Sequence, residues 1–490
     1  MQLNQMTIHD LRDLLRTREV TSQEIVASIY SQIDQVDDSV GAYLTLSRDE
    51  AMAAAKRADA LLAQGGKADL CGIPIAIKDN ISTAGMRTTC ASRLLEDYVP
   101  PFDATVVAKL KQAGAVIVGK TNLDEFGLGS STENSQFHPT RNPWDLSRVP
   151  GGSSGGSAAA VIAGEAIAAL GSDTGGSIRQ PAAFCGVVGL KPTYGLVSRY
   201  GLIPAAPSMD HVGPLTRDVR DAALMLQAIA GWDSKDPTSA RSDLRSYESA
   251  LTGDITGMVI GLPREFVARL ADSEAKEALF GVANILESLG ARVEEISLPH
   301  AEYAMACFYL LASAEISSSL ACFDGVRLGK RDSEAQDTVS MFIKTRGQSG
   351  AETKRRILVG TAVLQAENYA THYGKAQKVR TLIKGDLEQV FRRCHVILSP
   401  ATPSAAFPLG HKLEEPIAMY QSDIYTSVAN LAGVPALAVP CGYTREGLPL
   451  GMQILGKPFD ESTVLRVGHA YQQQASVAPR QPRMEVHTNG

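Results

Sequence analysis

The sequence predicts an α/β fold, in which helices cover a largely parallel or mixed β-sheet. From residue 71 onward, short apolar runs of strand length alternate with longer helical patterns, as in chains built from βαβ units. The chain has 490 residues, of which 44% are hydrophobic and 20% charged, a composition typical of globular proteins. This length would accommodate one very large α/β domain or two to three ordinary ones.

The first part of the chain is predicted to be helical. After Thr7, the residues Ile8, Leu11 and Leu15 recur on one helical face. Residues 21–24 fit a capping box, which predicts the start of a second helix. A third, alanine-rich helix is predicted over 49–64, and the two glycines that follow end it.

The middle and the end of the chain supply the predicted strands. Helices are expected at 104–113 and 157–163, a long polar surface connection at 232–256, and a mostly helical excursion at about 301–393. The predicted strands are 72–77, 115–118, 166–170, 258–262, 292–298, 395–399, 436–439 and 452–455.

Bulk properties narrow the function classes. The net charge of −6 argues against nucleic-acid binding by this chain alone, although a partner could supply the cationic surface that binds the phosphate backbone. The seven cysteines are widely spaced and form no CxxC pair, which indicates reduced thiols rather than disulfides or a zinc site. No leader pattern and no run of 18 uninterrupted apolar residues occurs, so we expect a cytoplasmic protein without a membrane span.

Two dense Gly/Ser clusters, at residues 150–157 and 171–177, are the most informative feature of the chain. Such clusters expose backbone N–H groups beside hydroxyls, which suits either anion binding or a nucleophile next to its own oxyanion hole. Neither contains a histidine, so a hydroxyl nucleophile would need another base. Neither matches a phosphate-loop or dinucleotide-binding motif.

Lys78, at the end of the predicted strand 72–77, is a candidate base. Burial at a strand end disfavours the ammonium and lowers the pKa of a lysine, which yields a usable neutral amine. The alternative is a lysine that extends its charge to solvent from the strand terminus. Taken alone, that alternative is the commoner fate of such a residue.

Ser177 and Ser153 are the candidate hydroxyl groups. Ser177 ends a tight glycine loop whose N–H groups would turn toward one point. Ser153 would bridge a base lysine and a nucleophilic serine by passing the proton. The alternatives are a connecting turn for Ser177 and a helix N-cap for Ser153 or its neighbour Ser154.

Residues 151–157 and 171–186, together with 74–80, resemble the amidase signature family. The resemblance implies a single large domain with a central mixed sheet covered by helices. It also implies that Lys78 is the base, Ser153 the serine of a cis peptide and Ser177 the acyl nucleophile. The implied oxyanion hole is the backbone of Thr174, Gly175, Gly176 and Ser177.

Within the family, the chain most resembles the glutaminase subunits of tRNA-dependent amidotransferases, on residues 129–135, 142–145, 323–327, 354–357, 420–426 and 456–460. The resemblance implies glutamine as substrate, with Arg356 binding its α-carboxylate and Asp423 its α-ammonium. It implies a heterotrimer with subunits B and C, in which the partners hold the misacylated tRNA, ATP and Mg. No cofactor or metal is expected in this chain.

Taken without the resemblance, residues 354–356 would be a solvated basic helix face, and Asp423 would be an N-cap for a helix toward residue 430. A free-standing amidase acting on another small carboxamide is the alternative function. A catalytically silent scaffold or anion-binding module is a third. The predicted division is an N-terminal helical region (1–70), an amidase signature core (71–230) and the remainder of the same domain (231–490).

Overall fold

The structure, a computed structural model, describes residues 2–242, 246–475 and 481–482. Their strands join one sheet in the order β1-β3-β2-β4-β6-β5-β10-β11-β9-β7-β8. The strands are β1 (Tyr43–Leu46), β2 (Pro74–Lys78), β3 (Val116–Thr121), β4 (Ala168–Asp173), β5 (Val188–Lys191), β6 (His211–Thr216), β7 (Val259–Pro263), β8 (Arg292–Ile296), β9 (Val396–Pro400), β10 (Ala436–Tyr443) and β11 (Pro449–Gly456).

The sheet is mixed, as predicted. β2 pairs in parallel with both β3 and β4, and β7 pairs in parallel with β8 and β9, whereas the central strands from β6 to β11 run antiparallel to their neighbours. Because one sheet takes up strands from the start and the end of the chain, the molecule is a single domain. The parallel β2 and β4 bring their carboxyl ends, Lys78 and Asp173, to the same edge of the sheet.

Helices surround the sheet. They are α1 (Ile8–Thr17), α2 (Ser22–Val40), α3 (Arg48–Ala63), α4 (Thr105–Gln112), α5 (Gly155–Ala163), α6 (Arg179–Cys185), α7 (Val219–Ile229), α8 (Arg264–Arg269), α9 (Ser273–Ser288), α10 (Ala304–Ser319), α11 (Thr338–Gly347), α12 (Ala351–Leu364), α13 (Ala366–Asn368), α14 (Gly374–Val390), α15 (Pro416–Tyr420), α16 (Ser427–Ala432) and α17 (Glu461–Gln474). Helices α10 to α14 form most of the segment at about 301–393 that was predicted to be mostly helical.

The capping residues at the start of the chain predicted the first residues of α1 and α2 correctly. Thr7 caps α1 by accepting from the N–H of Asp10, and Thr21 and Glu24 form the predicted capping box of α2. The N-terminal region is not wholly helical, because Tyr43–Leu46 forms the edge strand β1. The buried strand β6 was missed, since a glycine and a proline in its centre argue against a strand. The connection at 232–256 contains one short turn of 3₁₀ helix, Glu248–Ala250, within its described residues.

One segment is apolar enough to be compared with a membrane span. Pro299–Cys322 has 24 residues and a mean hydropathy of 1.4, values that a membrane helix and the core helix of a soluble protein both reach. Here α10, which occupies most of the segment, packs against α12 and α14. Cys307, Phe308 and Leu311 are buried in this packing. The absence of a membrane span and the three residue ranges of the predicted division stay predictions.

A carboxyl group is buried where the N-terminal region meets the sheet. Glu165 is fully buried just before β4, and its carboxyl group lies beside that of Asp37, to which it can donate a hydrogen bond when it is protonated. The neighbouring backbone is tied to β1, since Tyr43 Oη donates to the carbonyl of Glu165 at 2.8 Å. Burial, and then the nearby Asp37, raise the pKa of Glu165 well above its usual value.

This burial predicts a pH-dependent stability. A carboxyl whose pKa is raised on folding binds its proton more tightly in the native state, so its contribution is present at low pH and is lost as pH rises above about 4.5. We expect the loss of unfolding free energy between pH 4.5 and pH 8 to be smaller in Glu165→Gln than in the wild type. Urea titrations at several pH values measure this. The exposed Glu19→Gln is the control, and equal pH slopes in both variants would contradict the prediction.

Candidate active site

Lys78 is fully buried at the carboxyl end of β2. Its Nζ lies 2.7 Å from Ser153 Oγ, 2.8 Å from Ser154 Oγ and 2.9 Å from Ser172 Oγ. A lysine that extends its charge to solvent would be exposed at its tip, so that alternative is wrong. The amine instead lies among three hydroxyl groups on two neighbouring segments, the start of α5 and the end of β4.

Burial sets the charge of this amine. It lowers the pKa of Lys78 to about 7, although the carboxylates of Asp124 and Asp173 partly oppose the shift. A lysine with this pKa is substantially neutral near pH 7 and can accept a proton, which an ordinary lysine cannot.

The hydrogen bonds around Lys78 account for its protons. Ser154 Oγ donates to the carbonyl of Ser172 at 3.0 Å, so it must accept from Lys78. A neutral amine has two N–H groups and one lone pair. If Ser172 Oγ accepts the second N–H, the lone pair is left for the hydroxyl of Ser153. Asn80 Nδ2 also donates to Ser172 Oγ, at 2.9 Å, and holds that hydroxyl in place.

Ser153 lies in the first Gly/Ser cluster, immediately before α5. The peptide bond between Gly152 and Ser153 is cis. Ser154 is the N-cap residue of α5, but its side chain makes no capping hydrogen bond, so the capping alternative does not describe its hydroxyl. Gly152 is packed too closely for any other residue, because a Cβ there would lie 2.2 Å from Asp124 Oδ2.

Ser177 lies in the loop that joins β4 to α6. Its backbone carbonyl accepts from the N–H of Ser154 at 3.1 Å, which joins the two Gly/Ser clusters. Within the described part of the chain, its Oγ forms no hydrogen bond and the N–H groups of Gly175, Gly176 and Ser177 donate to no protein group. A free hydroxyl beside free N–H groups is the arrangement that a nucleophile with its own oxyanion hole requires.

A buried ion pair fixes this loop from behind. Asp173 accepts from the N–H of Ile178 at 3.1 Å and from Nε of Arg179 at 3.1 Å, and both charged side chains are fully buried. Burial would raise the pKa of Asp173, but Arg179 lowers it well below its usual value. At the tip of the loop, Gly176 has a φ of +145°, and a Cβ there would lie 2.3 Å from Thr426 Oγ1. Thr174 Oγ1 donates to Asp210 at 2.7 Å.

Ser177, Arg356 and Asp423 line one narrow cavity, together with Thr174, Gly175, Ser130 and Tyr309. Arg356 is only 5% exposed, so it does not belong to a solvated helix face. Its guanidinium lies 4.4 Å from the ring centres of both Tyr309 and Tyr420, and its Nε donates to Glu352 Oε1 at 2.6 Å.

Asp423 also faces this cavity rather than capping a helix. Its Oδ2 accepts from Ser130 Oγ at 2.7 Å and from Tyr309 Oη at 3.0 Å. Burial raises the pKa of Asp423 to about 6, although these two hydrogen bonds oppose the shift. The carboxyl is therefore mostly ionised at pH 7. The cavity thus carries one cation and one anion beside the free hydroxyl of Ser177.

A group with metal-ligand chemistry occurs elsewhere in the chain. Among the described residues, His9, Asp218 and Asp221 have potential ligand atoms within 4.8 Å of one another. Each acid already has a structural role: Asp221 accepts from the N–H of Ile8 at 2.7 Å, and Asp218 accepts from the N–H of Asp221 at 2.7 Å. The absence of a metal or cofactor from this chain stays a prediction.

Comparison with known proteins agrees with this geometry. Residues 24–465 match the family model described as Amidase. The chain belongs to the amidase family. It is 53% identical to the A subunit of the glutamyl-tRNA(Gln) amidotransferase of Carboxydothermus hydrogenoformans, over 99% of this chain and 100% of that protein.

Solved structures of amidases share the fold. The structure of the glutamyl-tRNA(Gln) amidotransferase A subunit from Thermotoga maritima matches with a TM-score of 0.80 and 40% identity, covering 99% of this chain and 98% of that one. The native peptide amidase of Stenotrophomonas maltophilia matches with a TM-score of 0.83 and 29% identity, covering 98% of both chains. Fold similarity therefore does not separate amidotransferase subunits from free-standing amidases, and the residues of the cavity must do so.

Several side chains of this amidase site were not singled out from the sequence. Ser154 was considered only as a cap, and Ser172 was noted only as a member of its cluster. Ser130, Tyr309, Tyr420 and Glu352 contact the charged pair from four separate segments. Glu352 stands four residues before Arg356 on the same helix, whereas Ser130 and Tyr309 reach Asp423 across 293 and 114 residues, contacts that depend on the tertiary fold.

Proposed function

We propose that this chain is the glutaminase subunit of a tRNA-dependent amidotransferase and supplies ammonia for converting Glu-tRNA(Gln) to its amide form. Asp-tRNA(Asn) is a second candidate acceptor. Identity of 53% over the full length of an amidotransferase A subunit supports this assignment. The observation that carries it is the charged pair, Arg356 and Asp423, in the cavity of Ser177. A zwitterionic amino acid needs such a pair, whereas a simple uncharged amide does not.

In the proposed reaction, Ser177 Oγ attacks the side-chain amide carbon of glutamine. Its proton passes through the Ser153 hydroxyl to the neutral amine of Lys78. Lys78 and Ser153 then return the proton to the departing ammonia. The N–H groups of residues 174–177 hold the oxyanion, and one such donor typically contributes about 3–4 kcal/mol to lowering the barrier. Water then hydrolyses the glutamyl ester, which releases glutamate and restores the serine.

The remaining parts of the reaction belong to partners in this proposal. Subunits B and C would complete a cytoplasmic heterotrimer, in which ATP, Mg and the misacylated tRNA bind mainly outside this chain. The net charge of −6 supports this division, because tRNA binding needs cationic surface. Comparing glutamine hydrolysis by the purified chain with that of the co-expressed complex tests it. Full activity of the chain alone, without stimulation by partners, would contradict an obligate assembly.

The alternative, a free-standing amidase, is not favoured: the peptide amidase shares the fold at 29% identity, whereas the amidotransferase A subunit is 53% identical over its full length. The two functions differ in what the cavity must bind. A zwitterionic amino acid needs this pair, because burying its charged ends without partners would cost several kcal/mol, whereas an uncharged amide gains nothing from it.

Truncating the charged pair is the decisive experiment. We expect Arg356→Ala and Asp423→Ala each to raise the KM for glutamine by one to three orders of magnitude, about 1.4–4 kcal/mol of lost binding. Each variant leaves one charged end of the substrate desolvated without a counter-charge. Steady-state kinetics on the complex measures this, and amidation driven by free ammonia should continue.

The exposed Lys354→Ala, on the same helix as Arg356, is the matched control and should leave the KM unchanged. If both cavity variants keep wild-type glutamine kinetics, and the wild-type chain rapidly hydrolyses simple uncharged amides, the free-standing amidase is the better account.

A further inference from the structure

Glu125 is a buried acid outside the predicted catalytic set, and it is only 1% exposed. It lies in a short 3₁₀ turn, Glu125–Gly127, directly before the loop that carries Ser130. Its carboxylate accepts three hydrogen bonds: from Ser92 Oγ at 2.6 Å, from the N–H of Gly350 at 2.7 Å and from Thr353 Oγ1 at 2.5 Å. Two of these three donors belong to the start of α12.

The start of α12 obtains its cap from this distant carboxylate. Gly350 is the N-cap residue and has no side chain to offer, and Thr353 lies in the first turn. Four N–H groups at a helix start lack partners within the helix, and an anion there is favoured by the helix dipole. Glu125 accepts from the N–H of Gly350 at 2.7 Å and so places its carboxyl group at this end of the helix. It therefore determines where the first turns of α12 lie.

Arg356 projects from the second turn of this helix. It is held locally by Glu352, four residues earlier, at 2.6 Å. Glu352 also accepts from Tyr420 Oη at 2.8 Å. A shift of the first turn would move both members of this ion pair, because they share the helix that Glu125 anchors.

The adjacent acid holds the opposite side of the cavity. Asp124 accepts from the N–H groups of Thr132 at 2.9 Å and Asn134 at 3.0 Å, which fixes the loop that presents Ser130 to Asp423. Two consecutive acids thus anchor the two sides of the cavity lined by Ser177, Arg356 and Asp423, which we call the recognition cavity. Asp124 anchors the side that carries Asp423, and Glu125 anchors the side that carries Arg356.

We propose that Glu125 is a positioning residue for substrate recognition, which acts through α12 by holding Arg356 at the distance from Ser177 that a bound amino acid requires. Glu125 does not line the cavity, so its effect must travel through the helix. This inference rests on the proposed function, because it assigns to Arg356 the α-carboxylate of glutamine.

The test uses four variants in the assembled complex with glutamine as substrate. We expect Glu125→Gln and Thr353→Val each to raise the KM for glutamine about tenfold or more, with kcat at saturation changing less than about threefold. A hydroxyl is all that Glu125 needs at position 353, so Thr353→Ser should stay within about threefold of wild type in KM. Thr361→Val, which makes the same change on the exposed part of α12, is the matched control and should behave as wild type.

A double-mutant cycle separates positioning from a general loss of structure. If Glu125 acts through Arg356, adding Glu125→Gln to Arg356→Ala should change the KM by less than about twofold. An additive effect in the double variant, or an unchanged KM in both Glu125→Gln and Thr353→Val, would overturn the inference while leaving the proposed function intact. An unchanged KM in Arg356→Ala itself would also overturn the inference; the proposed function fails if Asp423→Ala is unchanged as well and the wild-type chain rapidly hydrolyses simple uncharged amides. Loss of kcat without a change in KM would also overturn the inference.

Discussion

Ser177→Ala is expected to abolish glutamine hydrolysis while leaving the fold unchanged. The hydroxyl forms no hydrogen bond within the described part of the chain, so its removal should change the unfolding free energy by no more than about 0.5 kcal/mol. The loss in kcat should be at least about 10³-fold, as for removal of other serine nucleophiles. Amidation driven by free ammonia, measured in the complex, should survive.

The control for this variant is another buried serine close to the same loop. Ser427 is fully buried, its Oγ has no partner among the described residues, and it follows Thr426, which contacts Gly175. Ser427→Ala should therefore retain activity. Mass spectrometry after treatment with a glutamine-like electrophile should find the adduct on the peptide that contains Ser177. An adduct on Ser153 or Cys185 would refute the assignment of the nucleophile.

The sequence was most informative where the chemistry is local. The two Gly/Ser clusters and Lys78 could be recognised because each is a short contiguous motif, and the α/β class followed from the alternation of strands and helices. The contact of Lys78 with Ser172 could not be predicted, since it depends on the register of β2 against β4, which pairs Ile77 with Leu170. A shift of one residue would turn Ser172 away.

The recognition cavity was harder to predict for a different reason. Arg356 and Asp423 were proposed only through resemblance, and taken alone their local sequences suggested a solvated helix face and a helix cap. Their burial follows from Tyr309 on α10 and Tyr420 on α15, which pack beside the guanidinium. The role of Glu125 could not be predicted from the sequence, because an acid before a glycine-containing loop is usually a surface residue. Its burial depends on the contact with the start of α12, which is distant in sequence.

Replacing Lys78 is expected to remove glutaminase activity and, with it, a pH dependence. Because the pKa of Lys78 is lowered to about 7, the neutral fraction of the amine increases tenfold with each pH unit as the pH rises toward that value. The logarithm of kcat/KM for glutamine should therefore level off above about pH 7, fall with a slope of about one just below it, and fall more steeply below about pH 6, where Asp423 also takes up a proton. Lys78→Met keeps the apolar stem and should lose at least about 10³-fold in kcat. Lys78→Arg should not restore activity, since a guanidinium keeps its proton near neutral pH.

The same burial has a consequence for stability that can be measured apart from catalysis. A lysine whose pKa is lowered on folding binds its proton more weakly in the native state, so its contribution to stability improves as pH rises from about 7 toward 10. The stability of Lys78→Met relative to wild type should therefore decrease over this range. Lys109→Met is the control for activity. Lys109 is a half-buried lysine on α4 that donates to the carbonyl of Ala230, and its replacement should leave glutamine hydrolysis and the increase of kcat/KM up to about pH 7 unchanged. A well-folded Lys78→Met complex that also lost ammonia-driven amidation would show instead that Lys78 is structural, because that reaction needs no base in this chain.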